Sequence, residues 1–425
     1  MRLPRGSGFG GESGVPPEGA PVNYIVLAIP VFFALIALEL VVTRLLERDY
    51  YTLSDSVSDL SCGTVQQLLE LGIKTLVFAA YVGVYARRVL TIPEGAVWAW
   101  VLCFLGVDFL YYWFHRASHE VNAFWAAHVV HHQSEEYNLS VALRQGALQG
   151  WFSWVFYLPL ALLGFPPLMF LTVSSVNTLY QFWIHTRVIG RLGPLELVYN
   201  TPSNHRVHHA RNPKYVDRNH GGTLIVWDRL FGTYKGEEEE PVYGITTPLK
   251  SWNPLWANAQ VWVDLVRLAR GADRISDAFR VFFKPPGWRP QELGGFVPPP
   301  EIDPANPPPK FAPALPTGLG LYAFAQFVPV LAFSSWLLRE KPGASPILVP
   351  GAVLIALSLV SLGGLLEGRR WALPAELARV LVLPLLLLGS QPVWAPVLLV
   401  AALGSSAWLF AYRSFLLGPR ETAES

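Results

Sequence analysis

Long apolar runs broken by short polar stretches dominate both ends of the chain. The first, from about Tyr24 to Val42, is too long for a signal-peptide core and lacks a small-residue cleavage site. It reads as a retained transmembrane helix. Further runs at about 64–85, 96–114, 148–164 and 166–184 each approach the roughly 20 residues that cross a bilayer. Gly164-Phe165-Pro166-Pro167 between the last two predicts a tight helical hairpin. After Pro316, runs at about 318–338, 346–366, 374–390 and 393–411 predict four more helices, interrupted by Pro350, Pro384 and Pro396. The fold class that follows is all-α: a polytopic membrane protein.

Between these halves lies a polar stretch, 185–316, which closes in the Pro-rich segment Phe296 to Pro316. It holds 16 of the 32 Lys and Arg residues, which places it in the cytoplasm by the positive-inside rule. Trp252 to Arg270 has the pattern of an amphipathic helix, with Leu255, Trp256, Val261, Trp262, Leu265 and Val266 as its apolar residues. Such a helix either lies on the membrane surface or packs on the polar domain. Residues 1–22, rich in Gly and Pro, are expected to be disordered. The expected organisation is therefore that N-terminus, a membrane-embedded domain over 23–316 and a C-terminal helical region over 317–425.

Composition narrows the function. The chain is 52% hydrophobic and 15% charged, with 16 Trp and a net charge of +1, so nothing argues for nucleic acid. The two cysteines, Cys62 and Cys103, are too few for a disulfide framework or a zinc ribbon.

All ten histidines fall between His115 and His220. His115 and His119 form H-x-x-x-H; His128, His131 and His132 form H-x-x-H-H; His205, His208 and His209 repeat the second spacing; His185 and His220 stand alone. Residues three and four apart share a helix face, so each box can aim several imidazoles at one point. Eight or more such ligands exceed the needs of one metal, and imidazole suits iron, copper, zinc or nickel. Asp108, seven residues before His115, shares its face. It is either the acceptor for a ligand's outer N–H or a buried polar group bonded to a neighbouring helix. Glu120 reads as a ligand, a base near the metals or a solvated helix end. Glu135 and Glu136 read as metal-bridging or ligand-orienting groups, with solvation favoured for at least one. Thr201-Pro202-Ser203 is a helix start before the third box, and Gly221-Gly222 after His220 predicts a tight turn near the site.

A histidine-dominated two-metal site at the junction of bilayer and cytoplasm fits iron and O2 acting on an unactivated C–H of a lipid. Hydrolytic two-metal sites usually carry bridging carboxylates. A membrane zinc hydrolase and a metal transporter are the distant alternatives.

Three stretches resemble the fatty acid hydroxylase / sterol desaturase superfamily of membrane di-iron enzymes. They are Tyr111-Tyr-Trp-Phe-His115-Arg-Ala-Ser-His119-Glu120, then His131 to Gln145, then Thr201 to Tyr215 continuing at Gly221 to Tyr234. The likeness is strongest over about residues 25–250 and points to the branch that cleaves alkylglycerol ethers. It implies a cytoplasmic-face histidine-box domain with two irons held by His115, His119, His128, His131, His132, His205, His208 and His209, to which His185 is added as a candidate. It also implies a functional need for Glu120, with Asp108 a second candidate catalytic carboxylate. The implied reaction hydroxylates the carbon next to the ether oxygen, and the hemiacetal falls apart to an aldehyde and a glycerol derivative. Tetrahydrobiopterin or another external donor supplies the electrons; the lipid substrate and O2 are the other partners, and a homodimer is compatible with the layout. Other superfamily activities, on sterols or fatty acids, remain open. Two positions depart from the expected pattern, Asn204 where histidine is expected and His220 where an aromatic ring is expected.

Overall fold

The computed structural model describes residues 24–340, 345–388 and 395–418, so the expectation for residues 1–22 lies outside the described residues. Within them the chain is helical, with two isolated β-bridges, Tyr199 to Leu224 and Ala210 to Tyr243. Five helices are long and apolar enough to cross a membrane. They are α1 (Tyr24–Leu45), α2 (Leu53–Tyr85), α3 (Val97–Glu120), α11 (Thr317–Leu337) and α12 (Leu348–Leu366).

Two of these run beyond their apolar stretches for a chemical reason. α2 begins eleven residues before its predicted start because Asp55, Ser58, Asp59 and Ser61 on its first turns are buried against polar partners rather than exposed. α3 continues past residue 114 and so carries both histidines of the first box.

α5 (Gln149–Leu163) and α6 (Pro167–Trp183) correct an expectation. At 15 and 17 residues they fall short of the ~30 Å hydrocarbon core at 1.5 Å per residue. They form the predicted hairpin and pack against α3. Gly164 turns it at φ +106, where a Cβ would also come within 2.0 Å of the Leu90 carbonyl oxygen. α13 (Ala372–Leu388) and α14 (Ala395–Ala411) are equally short, at 17 residues each.

The polar stretch folds into short helices over one end of this bundle. They are α4 (Asn122–His128) before α5, then α7 (Pro202–His208), α8 (Val226–Phe231), α9 (Pro254–Gly271) and α10 (Ile275–Phe283). α9 packs on α2, α4 and α12, burying Ala257 and Leu265. Its Leu255, Trp256 and Val266 remain exposed, as do Ile275, Phe279 and Phe283 along one stripe of α10.

The C-terminal region is not a separate body. Leu319, Tyr322 and Phe327 of α11 share a core with Val57 and Val65 of α2. Glu367, just past α12, accepts hydrogen bonds from Ser251 Oγ and the Trp252 amide, both at 2.6 Å. Within the bundle Glu376 is fully buried, bonded to Tyr322, Ser361 and Arg379.

One close backbone approach lies near the histidines. A Cβ on Gly63 of α2 would stand 2.1 Å from the Leu143 carbonyl oxygen, whereas one on Gly72, about two and a half turns on, would meet nothing within 4 Å. Gly63→Ala is therefore expected to cost about 1–3 kcal/mol, as overpacking does. It should lower the melting temperature in detergent by several degrees. Gly72→Ala should leave it unchanged or raised, and equal melting of both variants would refute the packing.

Candidate metal centre

Nine imidazoles converge in two groups. His115, His119, His128, His132 and His208 make one; His131, His185, His205 and His209 make the other. Within each group the nearest ring nitrogens lie within 4.8 Å of one another, and every member is buried. The nine are the candidate ligands named from the sequence, His185 included.

Local structure explains the split. On α3 one helical turn separates His115 from His119 and puts both in the first group. The second box is not one helix. His128 ends α4, and the chain tightens into a 3-10 turn over Val129–His132. His131 falls in the second group, and His132 stays with His128 in the first. In the third box α7 starts as predicted, with Thr201 Oγ1 accepting from the Asn204 amide. His205 and His208, stacked at 5.1 Å, then divide between the groups.

Backbone carbonyls and an amide set the tautomers. His115 Nδ1 faces the His220 carbonyl at 2.8 Å, His131 Nδ1 the Arg144 carbonyl at 2.8 Å, His185 Nδ1 the Gln181 carbonyl at 2.7 Å and His208 Nδ1 the Arg218 carbonyl at 2.9 Å. His128 Nδ1 meets Gln149 Oε1 at 2.8 Å. These oxygens only accept, so each Nδ1 carries the hydrogen and each Nε2 presents a lone pair. Burial keeps the rings neutral: it pulls His128 down to about 3 and His185 to about 4, and pulls His131, His132, His205, His208 and His209 well below the usual range.

Those lone pairs face one another. Nε2 to Nε2 separations are 3.1 Å for His115 and His128 and 3.2 Å for His131 and His185. Opposed lone pairs repel unless a cation lies between them. Two nitrogens at right angles about one metal, each bonded at about 2.1 Å, would sit about 3.0 Å apart. Nε2 of His119, His208 and His209 is buried and, among the described residues, has no hydrogen-bond partner. The donor set thus fits a metal in each group.

The carboxylates serve elsewhere. Asp108 accepts from the Thr223 and Leu224 amides, Asn177 Nδ2 and Trp227 Nε1 at 2.6–3.1 Å, and from no histidine. Of its two readings, the buried group bonded to neighbouring elements holds. Asp228 accepts from the His220 and Gly221 amides, both at 2.7 Å. Together they hold the 220–224 loop whose His220 carbonyl orients His115. Gly222 is needed there because a Cβ would come within 2.8 Å of the Tyr111 ring. Glu120 is in neither group. It is half exposed and pairs with Arg116 at 2.8 Å, since the residue after His119 points about 100° further round the helix. Glu135 and Glu136 are neither ligands nor solvated: Glu135 accepts from the Phe311 amide, and Glu136 pairs with Arg187 and Lys310. They anchor the Pro-rich segment over the second box. His220 lies outside both groups, fully buried beside His119 at 5.1 Å between rings, with neither ring nitrogen partnered among the described residues.

Sequence reasoning missed the layer behind the ligands. Arg144 is fully buried, donates to the Val130 carbonyl, Ser58, Asp59 and Gln133, and so fixes the carbonyl that holds His131. Gln149 looks like an ordinary helix-start residue. An arginine beside two apolar runs and two aspartates on a membrane helix were the available signals.

A cavity of about 430 Å³ opens onto both groups through His128, His131 and His185. Val107, Phe114, Tyr157 and Phe170 give it apolar walls, and α11 contributes Leu331, Ser334 and Ser335.

The fatty acid hydroxylase family model matches residues 100–233, the stretch that holds every histidine. Human alkylglycerol monooxygenase is 40% identical over 365 residues, covering 85% of this chain and 81% of that protein. The zebrafish alkylglycerol monooxygenase (Danio rerio) is 39% identical over 392 residues, covering 91% and 86%. The Caenorhabditis elegans one is 35% identical over 256 residues, covering 57% and 50%. No solved structure matches the chain.

Partners behind a ligand typically control metal affinity 10–100-fold. Gln149→Leu, which removes the acceptor for His128 Nδ1, is expected to weaken metal retention by about that factor in a chelator competition. Unchanged retention would show that Gln149 does not orient the ring.

Proposed function

The chain belongs to the alkylglycerol monooxygenases of the fatty acid hydroxylase family, and from that premise we propose that it oxidises the carbon next to the ether oxygen of an alkylglycerol at a two-iron centre. The observation that carries this reading is the pair of imidazole groups opening together onto one largely apolar cavity. His115, His119, His128, His132 and His208 would hold one iron, and His131, His185, His205 and His209 would hold the other. Bound irons supply the activation of O2 that an unactivated C–H bond requires.

The remaining work falls to the chain. Burial keeps the imidazoles neutral, the form that ligates metal. Carbonyls and Gln149 orient them, and Asp108, Asp228 and Arg144 hold the backbone that carries those carbonyls. Glu120 acts through its pair with Arg116, whose guanidinium donates to Tyr112, itself bonded to Thr233 beside Asp228. Phe114, Tyr157 and Phe170 lay the alkyl chain along the cavity and exclude water.

The balance is one O2, two electrons and two protons for one hydroxylated ether carbon and one water. The hemiacetal then breaks its C–O bond to release an aldehyde and a glycerol hydroxyl. A tetrahydropterin supplies the two electrons. The 16 Lys and Arg of 185–316 support a centre on the cytoplasmic side, within reach of a soluble reductant.

Iron-loaded protein in detergent, given an alkylglycerol, O2 and a tetrahydropterin, is expected to release aldehyde. His131→Ala and His208→Ala, one from each group, should abolish release and lower bound iron. Aldehyde at the wild-type rate from either variant would remove the site assignment. No aldehyde from wild-type protein that holds two irons would move the substrate to a sterol or fatty acid, and turnover without O2 would point to hydrolysis.

A further inference from the structure

α2 is one of the five membrane-length helices, yet it presents a polar stripe to the cavity: Gln66, Gln67, Glu70 and Lys74. Ionisable residues inside a membrane helix are costly and mark functional paths. The stripe is internally bonded on one side. Gln67 Nε2 donates to Gln66 Oε1 at 2.8 Å, Lys74 Nζ donates to Gln67 Oε1 at 3.1 Å, and Lys74 pairs with Glu70 Oε2 at 2.9 Å.

The other side is open. Gln66 and Glu70 are each only 8% exposed. Among the described residues no hydrogen-bond partner takes up Gln66 Nε2 or Glu70 Oε1. A donor and an acceptor therefore stand one helical turn apart, both on residues that line the cavity. Both atoms are reached from the cavity, where a ligand or water can complete them.

Their position ties them to the reaction. Glu70 Oε1 lies against Gly150, where a Cβ would come within 3.0 Å of it, and the preceding residue, Gln149, holds His128. The stripe thus borders the metal centre rather than the far end of the cavity. A hydroxyl both donates and accepts, and two neighbouring hydroxyls match one acceptor and one donor at this spacing. A phosphoryl group would set like charge against Glu70, and the only cation in the stripe is already paired.

We propose that Gln66 and Glu70 form the hydroxyl subsite for the uncharged glycerol head of the substrate, an assignment that rests on the ether-cleaving reading above. Binding the hydroxyls beside Gly150 leaves the ether carbon, a few bonds away, facing His128, His131 and His185. The alkyl chain then runs along Val107, Phe114, Tyr157 and Phe170.

The test uses full-length, iron-loaded protein with two substrates, a 1-O-alkylglycerol and the same ether with both hydroxyls O-methylated. Glu70→Gln and Gln66→Leu are expected to raise KM for the free diol about tenfold, the worth of one hydrogen bond to a charged or buried group. Saturated kcat, iron per chain and KM for the methylated ether should stay at wild-type values. Gly150→Ala, a mild change on α5 that pushes on the Glu70 carboxylate, should raise the same KM and decides the matter if either α2 variant fails to fold. Variants that keep the wild-type preference for the free diol would overturn the subsite and leave the reaction standing. Wild-type protein that holds iron but cleaves neither ether would overturn the reading and the subsite together.

Discussion

Everything in this molecule depends on how buried, neutral imidazoles can be made to face one another. A lone pair opposite a lone pair at about 3 Å is unfavourable, and the chain sets up two such pairs. It does so by committing the outer nitrogens: five of the nine rings give Nδ1 to a carbonyl or amide oxygen, which leaves Nε2 bare and aimed inward. A cation between the facing nitrogens relieves that repulsion, so the two groups are suited to hold metal.

That demand propagates outward. Carbonyls can orient rings only if their own backbone is held, and the chain buries charge to hold it. Arg144 with Asp59 fixes one segment, Asp108 and Asp228 fix the 220–224 loop, and Glu135 and Glu136 fasten the Pro-rich segment over the second box. Each of these ties joins elements far apart in sequence. The C-terminal helices join the same body through Glu367, and α11 supplies part of the cavity wall. This gives the region a place in the wall of the cavity beside the histidines.

The helices and the ligands were legible in the sequence because both are written in local spacing. Runs of about twenty apolar residues and imidazoles three or four apart need no knowledge of the tertiary fold. The departures came where distant partners decide. The second box ends in a 3-10 turn rather than a helical one. His131 and His132 still divide between the groups, as neighbours about 100° apart on a helix are expected to. Asp108 shares the face of His115 in sequence, but the loop it serves arrives from more than a hundred residues away. Glu120 adjoins a ligand yet points off its face. The length of α5 and α6 was overread because neighbouring apolar loop residues extend their runs beyond the helices. Gln66 and Glu70 carry no motif at all, and only the cavity gives them meaning.

The central claim is two metals, each within its own set of histidines. Anomalous scattering at the iron edge from crystals of the iron-loaded protein tests it most directly. Two separate peaks are expected, one inside His115, His119, His128, His132 and His208, the other inside His131, His185, His205 and His209. A single peak, or peaks outside these two sets, would contradict the account.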